Sequence, residues 1–280
     1  MTIQPGKSAQ SEFSFTDRDF TFIVDFVKKK TGIALDDNKR PMVYSRLSRR
    51  LRLLQLTSFT QYCELLRSKD GEAEVPHLVN AITTNLTHFF REEHHFDHLR
   101  STVLEPLIAS SRDKRLRIWS AGCSSGAEPY SIAMVVHHLL ARQQGWDCKI
   151  LATDIDSNML EIGRTGLYSA EACERIPSPY GRYAHSAANE QKMMDDALKQ
   201  LTFFKQLNLM ESWPMRGIFD VIFCRNVVIY FDKDTQRQLF ARMAKLLRSE
   251  GWLYIGHSES LHNVSQDFVL RGKTTYQKTS

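Results

Sequence analysis

The sequence predicts an α/β protein built in two parts, a bundle of helices followed by a sheet domain. Up to about Thr84, apolar residues recur at helical spacing and strand character is almost absent. From Leu116, short apolar runs alternate with helical stretches, which is typical of a parallel sheet wrapped by helices. The alternation lapses at residues 167–200, where a polar stretch predicts an insertion into the sheet domain.

The first predicted helix has recognisable signals at both ends. Thr16 or Asp17 can cap its N-terminus, and apolar residues recur at helical spacing from Phe20 to Val27. Gly32 ends the helix. The sequence therefore predicts a helical bundle that opens with an amphipathic helix.

The second predicted helix carries the most uneven charge in the sequence. Residues 36–38 offer N-caps, and Pro41 suits the first turn. At 100° per residue, the apolar residues Val43, Leu47, Leu51 and Leu54 share one arc with Tyr44. The opposite arc holds Lys39, Arg46, Arg49, Arg50 and Arg52. We therefore expect a core side and a cationic side, although the net charge is only +5.

Composition excludes several classes of protein. The 280 residues are 42% hydrophobic, which is ordinary for a globular chain and argues against intrinsic disorder. The start has no apolar run of signal-peptide type and no stretch is long enough to span a bilayer, so we expect a cytoplasmic protein without membrane insertion. Five scattered cysteines predict reduced thiols, with neither a disulfide nor a zinc site.

The segment from Arg117 to Tyr130 predicts a strand, a turn of small residues and a helix. Gly122 and Gly126 would let the backbone approach a ligand closely, and Glu128 would lie in the first turn of the helix. The spacing departs from the dinucleotide fingerprint G-x-G-x-x-G, and a purely geometric role for the glycines is an equal alternative at this point.

Polar residues after two further strands strengthen the case for a nucleotide-like ligand. The strand ILATDID reaches Asp154, which can accept hydrogen bonds from both ribose hydroxyls, although Asp156 competes as either a ligand or a helix cap. The buried run 220–224 is followed by Arg225 and Asn226 at the edge where open parallel sheets bind ligands. The lack of a phosphate loop leaves dinucleotides of the NAD type or S-adenosylmethionine.

Five blocks in the sequence carry a family resemblance. They are NAITTNLTHFFREEHHF, WSAGCSSGAEPYSIA, ATDID, FCRNVVIYFD and GHSES, in that order. Together they closely resemble the CheR family of chemotaxis receptor glutamate methyltransferases, from about Phe20 to Tyr276. The resemblance implies a helical domain (residues 1–85), a linking segment (86–115) and a doubly wound, Rossmann-like methyltransferase domain (116–280). It also implies that the insertion at about 167–200 is a small antiparallel β subdomain.

The resemblance also implies a set of site residues. Arg91 would lie near the transferred methyl group, Glu128 would contact the methionine moiety, Asp154 would bind the ribose, and Tyr230 matches the active-site tyrosine of the family. The full set of implied cofactor-binding residues is Asn85, Thr87, Arg91, Glu128, Asp154, Asn208, Leu209, Arg225 and Asn226. We expect no metal, because methyl transfer from S-adenosylmethionine needs none and the nearby His88, His94 and His95 lack a second ligand set.

The resemblance further implies a partner. Chemoreceptors present long cytoplasmic helical bundles with rows of glutamates, and the cationic side of the second helix could bind such a surface. In some family members the β subdomain binds a receptor's C-terminal pentapeptide, but here the turn HSAANEQ is short and lacks glycine. We expect a monomer, and a regulatory protein partner stays open.

Three other functions compete with this interpretation. A nucleic-acid methyltransferase would show an N/D-P-P-Y type motif where this chain reads RNVVIY, so no nucleic-acid partner is expected. A non-catalytic S-adenosylmethionine-binding regulator would be free to lose Arg91 and Tyr230, and both are present. An NAD-dependent oxidoreductase is disfavoured by the poor glycine fingerprint.

Overall fold

A computed structural model of the protein describes residues 12–141 and 143–279. The expected lack of a signal peptide concerns mainly residues 1–11, which lie outside the described residues. The chain divides into two units between Thr83 and Thr84. Among the described residues, no helix is both long enough and apolar enough to cross a bilayer. All five cysteines are free and buried.

The first unit is a helical bundle. Its helices are α1 (Asp17–Thr31), α2 (Arg40–Leu53), α3 (Phe59–Arg67) and α4 (Gly71–Ile82), with a 3-10 turn at Asp37–Lys39. Thr16 caps α1 in a capping box with Asp19, and Gly32 ends the helix with a φ of 77°. The predicted limits of α1 are therefore explained by local chemistry.

The start of α2 differs from the prediction. Neither Asp36, which precedes the 3-10 turn, nor Lys39, which precedes α2, makes a side-chain capping hydrogen bond. The backbone N–H of Lys39 instead donates to the carbonyl of Asp36 at 2.9 Å. The 3-10 turn therefore satisfies a backbone N–H group that a capping side chain would otherwise bind. The apolar side of α2 is confirmed, because Val43, Leu47 and Leu51 are fully buried.

The second unit is a layered α/β structure. Its helices are α5 (His94–His98), α6 (Glu105–Ser110), α7 (Ala127–Leu140), α8 (Ser157–Thr165), α9 (Ala170–Cys173), α10 (Asp196–Leu201) and α11 (Lys233–Leu246). Its strands are β1 (Arg115–Ala121), β2 (Asp147–Asp154), β3 (Leu167–Ser169), β4 (Ala184–Ser186), β5 (Gln191–Met194), β6 (Thr202–Gln206), β7 (Phe219–Cys224), β8 (Leu247–Ile255), β9 (Phe268–Gly272) and β10 (Thr275–Lys278). A π-helical stretch at Leu99–Leu104 joins α5 to α6, and 3-10 turns lie at Ser178–Tyr183 and Val228–Tyr230.

The main sheet has seven strands in the order β6-β2-β1-β7-β8-β10-β9. The first five are parallel, as the alternating pattern predicts, whereas β10 is antiparallel to both β8 and β9. Every residue of β7 is buried, which confirms a strand covered on both faces. The strand order reverses between β1 and β7, so the loops after β1, β2 and β7 meet where such sheets bind ligands.

The predicted insertion contains a separate three-stranded antiparallel sheet in the order β3-β5-β4. The turn between β4 and β5 has no glycine, and Asn189 and Glu190 take positive φ values of 54° and 53° instead. The short helix expected at the end of this stretch is α10, whose Leu198 is fully buried.

Candidate active site

The loop between β1 and α7 is shaped by two glycines with positive φ. Gly122 has a φ of 77°, and a Cβ atom there would lie 2.3 Å from a side-chain carbon of Val227. Gly126 has a φ of 93°, and a Cβ atom there would lie 2.9 Å from the hydroxyl of Tyr168. Both positions need glycine for conformation and for space, because side chains of the protein pack closely against them.

Asp154 ends β2 and turns its carboxylate into this loop. Its two oxygens accept hydrogen bonds from the backbone N–H groups of Ser124, at 2.7 Å, and Asp156, at 2.9 Å. Burial raises the pKa of Asp154, and these backbone donors oppose that rise. Asp156 instead caps α8, since it accepts from the backbone of Asn158 and Met159. The structure thus gives the two competing acids different contacts.

The segment that begins at Thr84 is fastened to the same loops. The amide of Asn85 donates to Asp156 at 2.7 Å, and the carbonyl of Asn85 accepts from the hydroxyl of Ser124 at 2.9 Å. Farther along, the backbone N–H of Phe90 donates to the hydroxyl of Ser131, on α7. These bonds bring Asn85 and the half-buried Thr87 to the end of β2 and the start of α7, and their predicted contact with the cofactor stays a prediction.

Arg225 lies at the centre of the site and is 5% exposed. Its guanidinium pairs with Glu128 at 3.0 Å and with Glu92 at 3.4 Å, and it donates to the backbone carbonyl of Arg91. It also lies 5.7 Å from the ring centre of Phe96. Arg225 was predicted to bind the cofactor, and that role stays a prediction; in the structure its side chain joins three segments of the chain.

Glu128 is held on both of its oxygens. One accepts from the hydroxyl of Ser120 at 2.7 Å and the other from Arg225. Burial raises the pKa of Glu128, while Arg225 and Ser120 favour its charged form. A largely buried carboxylate in the first turn of α7 suits a cationic ligand group such as an ammonium.

Two predicted pairs follow β6 and β7. After β6, Asn208 bonds within its own loop, to the backbone N–H of Met210 and to Glu211, while Leu209 is 8% exposed. After β7, Asn226 takes a φ of 59° and Tyr230 is half-buried. All of the predicted cofactor-binding residues therefore lie in the second unit, at or just after the carboxyl ends of parallel strands, in the first turn of α7, or in the segment fastened to them.

Sequence reasoning missed three residues that organise this site. Ser120 orients Glu128, Glu92 pairs with Arg225, and Glu259 accepts backbone hydrogen bonds from the loop that follows β7. Glu92 and Glu259 both lie inside the family blocks FFRE and GHSES. For these two glutamates, the only signal in the sequence is an acidic residue within a family block, because Arg225 and the loop after β7, which they contact, are distant in the chain.

The predicted cationic side of α2 is divided by the structure. Arg46 donates to the carbonyls of Ile82 and Thr83, both at 2.8 Å, at the end of α4. Arg50 forms a two-pronged ion pair with Glu74 at 2.9 and 2.7 Å, and Glu74 is 5% exposed. Within the predicted cationic set, the exposed side chains are those of Lys39, Arg49 and Arg52, the last paired with Glu12 at the surface. Arg46 and Arg50 therefore face α4 and do not lie on a solvent-exposed arc, because they flank the apolar stripe.

We expect Arg50→Ala to destabilise the helical unit by on the order of 3 kcal/mol, because it leaves the buried carboxylate of Glu74 without its cation. Arg49→Ala, at an exposed position of the same helix, is the matched control and should change stability little. Native-state hydrogen exchange of the amides of α2 and α4 measures the difference. Equal protection in the two variants would show that the ion pair adds no stability.

His94 and His95 lie beside the ion pair between Glu92 and Arg225. Glu92, His94 and His95 present ligand-type atoms within 4.8 Å of one another. The guanidinium of Arg225 lies 3.4 Å from the Glu92 carboxylate, and its fixed positive charge opposes a cation at that place. The expectation of no metal therefore stays a prediction with a physical argument behind it.

His95 gives the sheet unit a testable pH dependence. Burial lowers the pKa of His95 to about 3, and the charge of Arg225 acts in the same direction. Between an unfolded-state value of about 6.5 and the folded value, only the unfolded state holds the proton, so stability falls as pH falls through this range. All four tryptophans lie in the sheet unit, so their fluorescence reports its unfolding.

We expect His95→Gln to flatten the loss of stability between pH 7 and pH 5 in urea unfolding followed by tryptophan fluorescence. His262→Gln, which changes an exposed histidine, should keep the slope of the unaltered protein. A slope that is unchanged in His95→Gln would mean that other groups cause the pH dependence.

These features fit S-adenosylmethionine as the cofactor. The turn with Gly122 and Gly126 after β1 and the buried acid Asp154 at the end of β2 suit an adenosine, and the largely buried acid Glu128 suits a methionine ammonium. Fold and site together define a Rossmann-type methyltransferase that uses S-adenosylmethionine.

Comparison with known proteins identifies the family. Residues 18–83 match the family described as "CheR methyltransferase, all-alpha domain", and residues 85–277 match "CheR methyltransferase, SAM binding domain". The chain is 46% identical over 255 residues to "Probable chemotaxis protein methyltransferase" of Rhizobium etli, which covers 89% of this chain and 95% of that protein. It is 44% identical over 271 residues to "Chemotaxis protein methyltransferase 2" of Pseudomonas aeruginosa, covering 95% and 94%. It is 40% identical over 272 residues to "Chemotaxis protein methyltransferase" of Escherichia coli, covering 94% and 91%. The chain belongs to the CheR methyltransferase family.

Proposed function

We propose that the protein transfers the methyl group of S-adenosylmethionine to glutamate side chains of bacterial chemoreceptors and so forms glutamate methyl esters. The names of the relatives support methylation in chemotaxis. The observation that carries the choice of acceptor is a cation and a phenol held at one edge of the sheet. These groups are Arg91 and Tyr230, and a carboxylate is the acceptor that both can bind.

The contacts of Arg225 support this assignment, because they connect the backbone of Arg91 to the start of the loop that carries Tyr230. Its guanidinium donates to the backbone carbonyl of Arg91, and Tyr230 follows it in the loop after β7. Glu128, which we assign to the methionine ammonium, pairs with the same guanidinium at 3.0 Å. Acceptor-binding and cofactor-binding residues are thus joined through one buried side chain.

The acceptor chemistry explains why the site needs no general base. The pKa of a glutamate side chain in water is about 4.3, so the carboxylate is already an ionised nucleophile at neutral pH. We assign Tyr230 to a hydrogen bond with this carboxylate and Arg91 to charge attraction. One terminal nitrogen of Arg91 already donates to the carbonyl of Leu86 at 2.9 Å, which favours a single contact over a two-pronged pair that would weaken the nucleophile.

The cofactor, when bound, supplies an electrophilic methyl group on a sulfonium sulfur. Asp154 would hold the ribose hydroxyls and Glu128 the ammonium. The chain's own contribution is to hold the acceptor carboxylate in position and to exclude water from it, and such orientation lowers a barrier by several kcal/mol.

Two exposed apolar side chains flank the acceptor residues. Leu86 is 79% exposed, and its backbone carbonyl accepts a hydrogen bond from Arg91. Ile229 is 48% exposed and directly precedes Tyr230 in the chain. Apolar side chains beside a carboxylate-binding pair suit a surface that receives a helix bearing glutamates. This arrangement supports a protein acceptor over a small free acid.

The helical unit supports the same acceptor through charge. The exposed cations Lys39, Arg49 and Arg52 would attract the acidic rows of a receptor's cytoplasmic helical bundle. Since those glutamates lie in the cytoplasm, the proposal places the reaction there. A monomer suffices for it, and a regulatory protein partner is no part of it.

We expect Arg49→Ala to lower kcat/KM for receptor about threefold to tenfold at low salt, with a smaller effect at high salt, because an exposed charge acts over a screened distance. Arg18→Ala, which removes an exposed cation of α1, is the control. Methylation rates at several salt concentrations measure both. Equal losses in the two variants would show that only net charge matters.

The proposed reaction is tested by transfer of labelled methyl from S-adenosylmethionine to membranes that carry chemoreceptors. Label that is released by mild base as methanol identifies a carboxyl ester, and Arg91→Ala should lose most of it. Base-stable label would identify another acceptor. Binding of S-adenosylmethionine without methyl transfer would favour a non-catalytic regulator that binds the cofactor.

A further inference from the structure

Glu259 makes an unusual set of contacts for a side chain outside the predicted site. One carboxylate oxygen accepts from the backbone N–H groups of Val227 and Val228, both at 2.9 Å, and of Ile229 at 3.3 Å. The other accepts from Asn226 at 2.9 Å and Gly256 at 2.5 Å. Five backbone donors therefore meet one carboxylate that is 6% exposed.

These contacts complete the hydrogen bonding of the loop that carries Tyr230. The next two N–H groups, of Tyr230 and Phe231, donate to the carbonyls of Val227 and Val228. From the other side, the amide of Gln236 on α11 donates to the carbonyls of Val228 and Phe231, at 2.8 and 3.0 Å. The loop is held on its N–H side by Glu259 and on its carbonyl side by Gln236.

The turn that presents Glu259 also reaches the segment of Arg91. His257, in the same turn, contacts Glu92 through its backbone N–H at 3.3 Å and its ring at 3.0 Å. Gly256 is fitted closely to the loop after β7, since a Cβ atom there would lie 2.4 Å from the side-chain nitrogen of Asn226. One short turn therefore contacts the neighbours of both acceptor-binding residues.

We propose that Glu259 is a positioning residue for methyl transfer, which acts through the backbone of residues 226–229 to fix the place of Tyr230 relative to Arg91. The inference rests on the proposed function, because it takes Tyr230 as the residue that orients the acceptor. A carboxylate suits this position because it offers only acceptors to a group of converging donors. Strand β7 is paired on both edges, with β1 and β8, and does not depend on Glu259.

The first test measures the effect of Glu259 on the loop itself. In Glu259→Gln, the side-chain nitrogen must replace one acceptor oxygen, so some loop donors lose their partner. We expect faster hydrogen exchange at the amides of residues 226–229 and unchanged exchange in β1. Glu250→Gln, at an exposed glutamate of β8, should leave both unchanged. Full protection of the loop in Glu259→Gln would overturn the proposal whatever the substrate is.

The second test is a double-mutant cycle on kcat for labelled methyl transfer to chemoreceptor membranes. We expect Glu259→Gln to lower kcat about tenfold or more, since a displaced orienting group is costly. In a Tyr230→Phe background the same change should cost less than about threefold, because the two residues act as one unit. If the double variant loses kcat by the product of the two single losses, the residues act independently and the positioning role is overturned. A wild-type kcat in Glu259→Gln would overturn it too.

Gln236→Met is the second variant, and it keeps the proposal testable if Glu259→Gln does not fold. It removes the donors on the carbonyl side of the loop with little change of volume, and its effect on kcat should also shrink in the Tyr230→Phe background. An effect of equal size in both backgrounds would contradict a shared action on Tyr230. A Tyr230→Phe variant with the wild-type kcat would instead show that the proposed role of Tyr230 is wrong. The hydrogen-exchange test of Glu259 does not depend on that role, so the two failures can be told apart.

Discussion

Replacing Asp154 with asparagine is expected to weaken binding of S-adenosylhomocysteine about 100-fold. The change removes the charged acceptor that we assign to the ribose hydroxyls, and a hydrogen bond to a charged group contributes about 1.5–3 kcal/mol. It also turns an amide nitrogen toward the backbone N–H group of either Ser124 or Asp156, each of which donates to one oxygen of the carboxylate. Titration calorimetry measures the dissociation constant directly.

Asp156→Asn is the matched control, because both acids were candidates for the ribose and asparagine still caps a helix. We expect it to weaken binding much less than Asp154→Asn does, because its capping acceptor is kept and only the hydrogen bond from the amide of Asn85 is lost. If Asp156→Asn weakens binding and Asp154→Asn does not, the ribose assignment belongs to Asp156. The two isosteric changes therefore decide between the acids.

Removing the acceptor-binding groups should affect turnover more than binding of the cofactor. We expect Arg91→Ala to lower kcat about 100-fold and Tyr230→Phe about tenfold, with smaller changes in the affinity for S-adenosylhomocysteine. The larger effect belongs to Arg91 because a charge is lost, although Arg91 was also predicted to touch the cofactor. Single-turnover rates and calorimetry on the same variants separate the two quantities.

Equal losses in turnover and in cofactor affinity would contradict this assignment. For Arg91→Ala, that outcome would make Arg91 a cofactor-binding residue alone. Leu86→Ala is a useful comparison, because only the backbone carbonyl of Leu86 accepts the hydrogen bond from Arg91. It removes an exposed apolar side chain and should raise KM for the receptor without lowering kcat at saturation.

The parts of the fold that the sequence predicted are those decided by local chemistry. Thr16 marks the start of α1 and Gly32 its end, because a helix needs a capping side chain at its N-terminus and a left-handed residue at its C-terminus, and both needs are met locally. The run at 220–224 predicted a buried strand because its apolar character is continuous, and Asp154 was indicated by its place after another such run. Order along the chain therefore located the edge of the sheet that holds the site.

The parts that were missed depend on contacts between distant residues. Arg225 pairs with Glu128 across 97 positions, and no spacing rule connects them. Arg46 and Arg50 flank the apolar stripe of α2, and periodicity cannot tell which flank packs against α4. The antiparallel strands β9 and β10 alternate polar with apolar residues too weakly to stand out.

The most direct measurement of the proposed reaction is tandem mass spectrometry of receptor peptides after incubation with S-adenosylmethionine and the enzyme. We expect the added methyl group on glutamate side chains of the cytoplasmic helical bundle, removable by mild base and strongly reduced with Tyr230→Phe. Methyl groups on lysine, on arginine or on nucleic acid, with receptor glutamates unmodified, would contradict the assignment of this site to glutamate esterification.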